Sequence, residues 1–282
     1  MRSRSPNSPL KTSAAAQDPP RISSKVWRKT SWFKRRRHRL KLAIIFFLFV
    51  YFFAWIGVFV WVGGGSDLYD VDHAARLKNT RGVPPPIDMQ MGLSQIGNIL
   101  NFLPRTGNLL VFGLGNDSFY WHDVTKGTVS FIEGDFPDSK WATEWFDKVM
   151  EKYPYLDCNK VDYTTKMDRD YLRIISGGER LWAMELNLAK QLPRYISTTK
   201  WDVIIVDAPR GNKGSRGPGR FQSIYTARVL AREGTTIVID DYDREIESRF
   251  SRLVLGREPV KVEYRPERKW VADANAQAYF EF

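Results

Sequence analysis

The chain has 282 residues, with 43 Lys and Arg against 32 Asp and Glu, a net charge of +11, one cysteine and three histidines. Thirteen of the basic groups lie in the first 41 residues beside a single acid, Asp18, so the remainder is close to neutral and a whole-surface nucleic-acid partner is excluded. One cysteine excludes a disulfide scaffold and a cysteine-rich zinc module, and three scattered histidines argue against a histidine-built metal site.

Residues 1–41, rich in Ser, Pro, Lys and Arg, read as a disordered basic tail. Leu42–Val62 follows, 21 residues without a charge. A helix of that length spans about 30 Å, the hydrocarbon thickness of a bilayer. Its length, and the long segment before it, fit a signal-anchor better than a cleaved signal peptide. Lys34, Arg35, Arg36, Arg37, Arg39 and Lys41 flank it on one side and Asp67, Asp70 and Asp72 on the other. The positive-inside rule then expects a single-pass type II protein with a cytosolic N-terminus. That is the layout of a glycan-modifying enzyme in the Golgi membrane. The tail reads as topogenic charge and lipid contact rather than a nucleic-acid patch. Residues 63–92, with Gly63–Gly65 and Pro84–Pro86, read as a lumenal stem, and residues 93–282 as one domain.

Within that domain Ser94–Leu103 predicts a helix, Asn108–Phe112 a buried strand, and Thr128–Glu133 a second strand. A helix over Lys140–Lys152, a strand over Lys160–Thr164 and a helix over Glu179–Leu192 come next. Trp201–Asp207 and Thr235–Asp240 are strands that end in acid, joined by a helix near Arg220–Arg232. A further helix starts near Arg244, and Val260–Tyr264 and Gln277–Phe282 close the chain as two strands. The alternation implies an α/β domain, a mostly parallel Rossmann-like sheet of seven strands with an antiparallel edge. This is the outline of a class I methyltransferase.

Gly113 and Gly115 follow the first strand directly, where glycine lets the backbone approach a ligand. The third glycine of a dinucleotide fingerprint is missing, with Ser118 and Phe119 in that region, so a nucleoside without pyrophosphate is favoured. Glu133 ends the second strand and can accept hydrogen bonds from both ribose hydroxyls, with Asp135 as its competitor. Together these fit S-adenosylmethionine (SAM) over NAD. Asp207 and the Asp240–Asp241 pair open into the same crevice and form a candidate site for a hard divalent ion such as Mg²⁺ or Mn²⁺. Without metal, one of them is a candidate general base. The alternative is that Asp240 or Asp241 caps the helix near Arg244.

Arg210, Lys213, Arg216 and Arg220 place positive charge beside the crevice, suiting an acidic substrate such as a uronic acid; for Lys213 and Arg216 a solvated loop is the simpler role. His122 reads as a helix-surface residue and Cys158 as a free, partly buried thiol. Asn116–Asp117–Ser118 is a glycosylation sequon expected to stay unmodified because it lies in the cofactor turn.

LLVFGLGNDSFYW (Leu109–Trp121), FIEGD (Phe131–Asp135), WDVIIVDAPRG (Trp201–Gly211), PGRFQSIYTARVLAR (Pro218–Arg232) and IDDYDREIESRF (Ile239–Phe250) resemble the plant polysaccharide-biosynthesis methyltransferases that include glucuronoxylan 4-O-methyltransferase. The resemblance implies methyl transfer from SAM to the 4-hydroxyl of glucuronic acid on xylan or arabinogalactan. By position it places SAM on Gly113, Gly115 and Glu133 and the reaction centre at Asp207 and Asp241; Asp117 and Ser118 are further candidate cofactor residues, and Arg210 and Arg220 are the candidates for an acidic polysaccharide. Where that family usually has His-Asp, this chain has Asp240–Asp241. The alternative is a non-catalytic scaffold or assembly member of a xylan-synthesising complex, in which other glycan-synthase components are partners. A metal-dependent methyltransferase of a small phenolic is a third reading, poorly matched by the anchor and the basic loop.

Overall fold

The computed structural model describes residues 81–86, 89–135, 140–211, 214–264 and 276–282. The tail, the apolar segment Leu42–Val62 and most of the stem lie outside the described residues. Among those described, no helix is long and apolar enough to cross a membrane.

Seven strands build the sheet: β1 Leu109–Phe112, β2 Val129–Asp135, β3 Cys158–Asp162, β4 Val203–Val206, β5 Thr236–Ile239, β6 Lys261–Tyr264 and β7 Ala276–Glu281. Eight helices are described: α1 Leu93–Phe102, α2 Ser118–Val124, α3 Lys140–Lys152, α4 Met167–Ile175, α5 Glu179–Glu185, α6 Arg194–Thr198, α7 Phe221–Leu230 and α8 Glu245–Leu255. The sheet order is β3-β2-β1-β4-β5-β7-β6, with β7 antiparallel to both neighbours and the other pairings parallel. That order and that single reversed strand are the class I SAM-methyltransferase fold.

All residues of β1, β4 and β5 are buried, as expected of parallel strands covered on both faces. Alternate residues feed two cores. Leu110, Phe112, Ile204, Val206, Ile237 and Ile239 pack with residues of α4, α5, α7 and α8, while Leu109, Val111, Val203, Ile205 and Val238 pack with residues of α1, α2 and α3.

Several features differ from the sequence reading, among them the short helix α6 and a third strand that begins two residues early. The helix expected over Glu179–Leu192 breaks after α5. The Asn187 side chain accepts from the Ala189 N–H to start a short 3₁₀ turn, and the Leu188 N–H donates to Thr226 Oγ1 at 2.9 Å. Helix α2 was implied only through the helix-surface reading of His122 and its bounds were missed, since SFYWHDV buries residues on several sides and shows no clean stripe. Helix α4 was missed too, although its buried Met167, Asp170, Tyr171, Ile174 and Ile175 follow helical spacing. Finally, the expected stem reaches residue 92, yet Met89 and Met91 are buried with the α1 core. Two thioethers gain more from that core than from water.

Candidate active site

The carboxyl ends of β1, β2, β4 and β5 frame a cleft of about 840 Å³, within the range of small-molecule sites. It opens where the strand order reverses direction about β1, the place at which open α/β sheets take ligands. The N–H groups of Asp207 and Ala208 both donate to the Phe112 carbonyl at 2.9 Å. The loops after β1 and β4 therefore leave the sheet side by side.

Gly113 has φ +135°, a conformation strained for any residue with a Cβ. At Gly115 an added Cβ would lie 2.7 Å from Asp117 Oδ1. The turn these glycines form holds Glu133. The Leu114 N–H donates to Glu133 Oε2 at 3.0 Å and the Gly134 N–H to Oε1 at 2.9 Å. Two backbone donors fix that carboxylate at the cleft wall. The turn is braced from behind: Trp145 Nε1 donates to the Leu114 carbonyl at 2.6 Å, and the Gly115 N–H donates to Ser118 Oγ at 2.9 Å. Gly113, Gly115, Asp117 and Glu133 line the cleft. Ser118 is buried behind the turn and shapes it, while Asp117 Oδ2 accepts from Trp121 Nε1 at 3.0 Å. Asn116 of the sequon also lines the cleft.

Beside this turn Asp207, Asp240 and Asp241 bring a carboxylate oxygen each to within 4.8 Å of one another. Asp207 follows β4 and Asp240–Asp241 follow β5. Neither of the latter caps α8, whose N-cap is Arg244. The group that balances them is Arg220. Its residue is 3% exposed, and its NH2 donates to Asp207 Oδ1 at 3.0 Å, to Asp241 Oδ2 at 2.7 Å and to the Asp207 carbonyl at 2.6 Å. NH1 donates to the Asp240 carbonyl at 2.5 Å. Burial opposes the Arg220 charge, but Asp241 and Asp207 outweigh it and hold the guanidinium above its ordinary value. Arg220 was expected to meet substrate; the structure instead makes it the internal cation of the cluster. Its placement also bears on the expected metal. A nitrogen already bridges Asp207 and Asp241, so a divalent ion would have to share these oxygens with a guanidinium.

Burial, then the neighbouring Asp240 charge, raise the Asp207 carboxyl well above the usual carboxylate range. Its side chain keeps 41% exposure and lines the cleft. Asp240 is raised as well, first by burial, and its Oδ1 accepts from Gln277 Nε2 at 2.9 Å. Asp207 and Asp240 each raise the other's cost of ionising, so the two titrate as a coupled pair. Asp241, at φ +55°, accepts from Arg220 and, at 2.7 Å, from Arg244 NH1. Beneath them Glu247 is buried in α8, its carboxyl raised by burial against the pull of Arg220.

Arg210 is exposed and lines the cleft. Arg216 is exposed outside the lining, and Lys213 lies outside the described residues, as does the side chain of Asp135. His122 sits on α2 against Asp123 and Tyr155 and does not line the cleft. Cys158 is free and half-buried, and burial pushes its thiol up to about 12. Sequence reasoning missed Arg244, Trp145 and the Met89–Met91 segment, all of which line the cleft. Arg244 lies inside the quoted IDDYDREIESRF segment, three residues after Asp241, and that spacing was the available signal.

A family model described as IRX15/IRX15L/GXM matches residues 93–265, which contain all of the wall residues above except Met89–Met91. The chain belongs to that family. Three Arabidopsis thaliana relatives are similar to this IRX15/IRX15L/GXM domain. Glucuronoxylan 4-O-methyltransferase 1 is 33% identical over 52% of this chain and 55% of its own length. Glucuronoxylan 4-O-methyltransferase 3 is 37% identical over 52% of each. Arabinogalactan O-methyltransferase 1 is 31% identical over 60% of this chain and 62% of its own length. The chain spans about half the length of the curated relatives it matches. Among solved structures, a TehB-like SAM-dependent methyltransferase from Corynebacterium glutamicum is similar at 14% identity, over 77% of this chain and 99% of that chain, with TM-score 0.41. The strand order stands without it.

Proposed function

We propose that this IRX15/IRX15L/GXM domain transfers a methyl group from SAM to the 4-hydroxyl of glucuronic acid residues on a cell-wall polysaccharide, xylan or arabinogalactan. The observation that carries this reading is one cleft holding, side by side, a glycine turn with a fixed acid and a carboxyl cluster in which Asp207 and Asp240 have raised proton affinity. The relatives' names support the acceptor class. The apolar segment Leu42–Val62 and its charged flanks support a type II anchor in the Golgi membrane, with the domain lumenal and other glycan-synthase components within reach.

The residues present fit SAM: the turn at Gly113 and Gly115 leaves room for close backbone approach, and Glu133 is aimed as an acceptor for ribose hydroxyls. Bound SAM would supply an electrophilic methyl on a sulfonium. The protein's part is to orient and deprotonate the acceptor hydroxyl. Asp207 faces the cleft, and its raised proton affinity suits it to take that proton. Asp240 shares the charge, and Arg220 holds both loops in place. Asp241 positions Arg220 and Arg244. A Mg²⁺ or Mn²⁺ ion belongs to this reading only if chelator abolishes activity and the ion restores it.

The test is the full chain with labelled SAM and glucuronoxylan, arabinogalactan or pectin. Label should enter a uronate-bearing acceptor. Glu133→Ala should weaken SAM binding at least tenfold by calorimetry, the loss of one charge-assisted contact. A wild-type chain that binds no SAM sinks the methyltransferase reading and leaves the assembly role.

A further inference from the structure

Three arginines line the cleft, Arg210, Arg220 and Arg244. A carboxylate-bearing acceptor needs a cation with donors to spare, and Arg220 has spent its two terminal nitrogens on the aspartate cluster beneath the surface. Arg244 differs. Its side chain is 33% exposed, and its one ion pair is NH1 to Asp241 Oδ2 at 2.7 Å. A guanidinium offers five N–H donors, and the others on Arg244 have no partner among the described residues. The base of the side chain is also fixed. The Arg244 N–H donates to the Asp241 carbonyl at 2.9 Å, and Ser248 Oγ donates to the Arg244 carbonyl at 2.8 Å. Arg244 is therefore anchored at its backbone, braced at one nitrogen and open along the rest of a planar donor edge.

Its position matches the acceptor's chemistry. In a hexuronic acid the 4-hydroxyl and the carboxyl group sit on neighbouring carbons, so the residue that takes the hydroxyl proton and the cation that holds the carboxylate must be close together. A short chain of contacts joins them here. Asp207 touches Arg220 at 3.0 Å, Arg220 touches Asp241 at 2.7 Å, and Asp241 touches Arg244 at 2.7 Å.

We propose that Arg244 is the residue that clamps the acceptor's carboxylate and so makes the cleft select a uronate over the corresponding neutral sugar. This rests on the methyl-transfer reading for its acceptor and assigns the cation that recognises it.

The experiment compares a xylo-oligosaccharide bearing glucuronic acid with its carboxyl-reduced, glucose-bearing twin. Binding to the full chain is measured by calorimetry with and without SAM, and KM and kcat are measured with SAM. The wild type should prefer the acid by about 10- to 100-fold, the worth of a charge-assisted pair. Arg244→Gln should lose that preference through KM, so that the acid suffers at least tenfold more than its reduced twin, while SAM affinity stays within threefold. Should Arg244→Gln fail to fold, Arg244→Lys carries the test. It keeps the charge beside Asp241 but lacks the planar donor edge, and should retain only a fraction of the preference. Equal losses for both acceptors, or an unchanged preference in the folded variant, overturn the proposal and leave Arg244 as a brace for Asp241. A wild type that binds no SAM defeats the methyl-transfer reading by itself. The calorimetric comparison of acid and reduced acceptor still decides the role of Arg244 in that case.

Discussion

Replacing Arg220 by methionine removes one positive charge from among three carboxylates while keeping most of the side chain's length. The arginine is 3% exposed and donates at 2.5, 2.6, 2.7 and 3.0 Å to groups following β4 and β5. Removing one partner of a buried ion pair costs about 3–5 kcal/mol, because the other stays buried and uncompensated. For a domain of this size each kcal/mol moves the midpoint by roughly 2–4 °C, so a fall of about 6–20 °C follows. The sign with pH is distinctive. Without the guanidinium the buried carboxylates regain neutrality only by binding protons, so the folded-state affinities of Asp207 and Asp240 rise further above the unfolded values. The variant's stability is then highest at low pH and lost as pH rises. Thermal melts by circular dichroism at pH 5 and pH 8 should show the larger gap to wild type at pH 8. A fall under 3 °C, or an equal gap at both pH values, would refute the claim that Arg220 is the cluster's counter-charge.

In the wild type, Asp207 already binds its proton more tightly folded than unfolded. Stability should therefore decline as pH rises from about 4, the unfolded carboxylate value, through the raised folded one. Asp207→Asn should flatten that decline in urea midpoints measured against pH. The change should be less than the ~1.4 kcal/mol per pH unit of a whole proton, since cleft water screens the group. Gly134→Ala places a Cβ 2.5 Å from the Tyr163 ring and from the Val161 carbonyl. Overpacking of this kind costs about 1–3 kcal/mol. Because Glu133 is the adjacent residue, calorimetry should show weaker SAM binding as well; full affinity in the variant would mean that the strand shift does not reach Glu133.

The sheet was legible because VIIV and TIVI are short, uninterrupted apolar runs bounded by turn residues, and buried parallel strands require that pattern. Glu133 and the acidic strand ends were legible because a carboxylate closing such a run has few places to go except the crevice. Arg220 was not. In sequence it reads as one of several cations beside the crevice, turned to substrate, and its burial depends on strand ends contributed by residues 207, 240 and 241. Arg244 was hidden for a related reason: it looks like the first charge of an ordinary amphipathic helix, and its pairing with Asp241 at the cleft emerges only in the fold. Local pattern conveys which residues are inside; convergence of separate segments decides which charge meets which.

Gln277 gives the site an order of assembly. The glycine turn, Glu133 and the Trp145 that braces them are all in the chain by residue 145, whereas Asp240 takes a donor from β7, 37 residues after it. During synthesis, at roughly 5–20 residues per second, the turn around Glu133 emerges well before the strand that finishes the Asp207–Asp240 pair. A chain halted before residue 277 would contain the glycine turn and Glu133 but not the donor to Asp240. Release of β7 is therefore the event that joins the two halves.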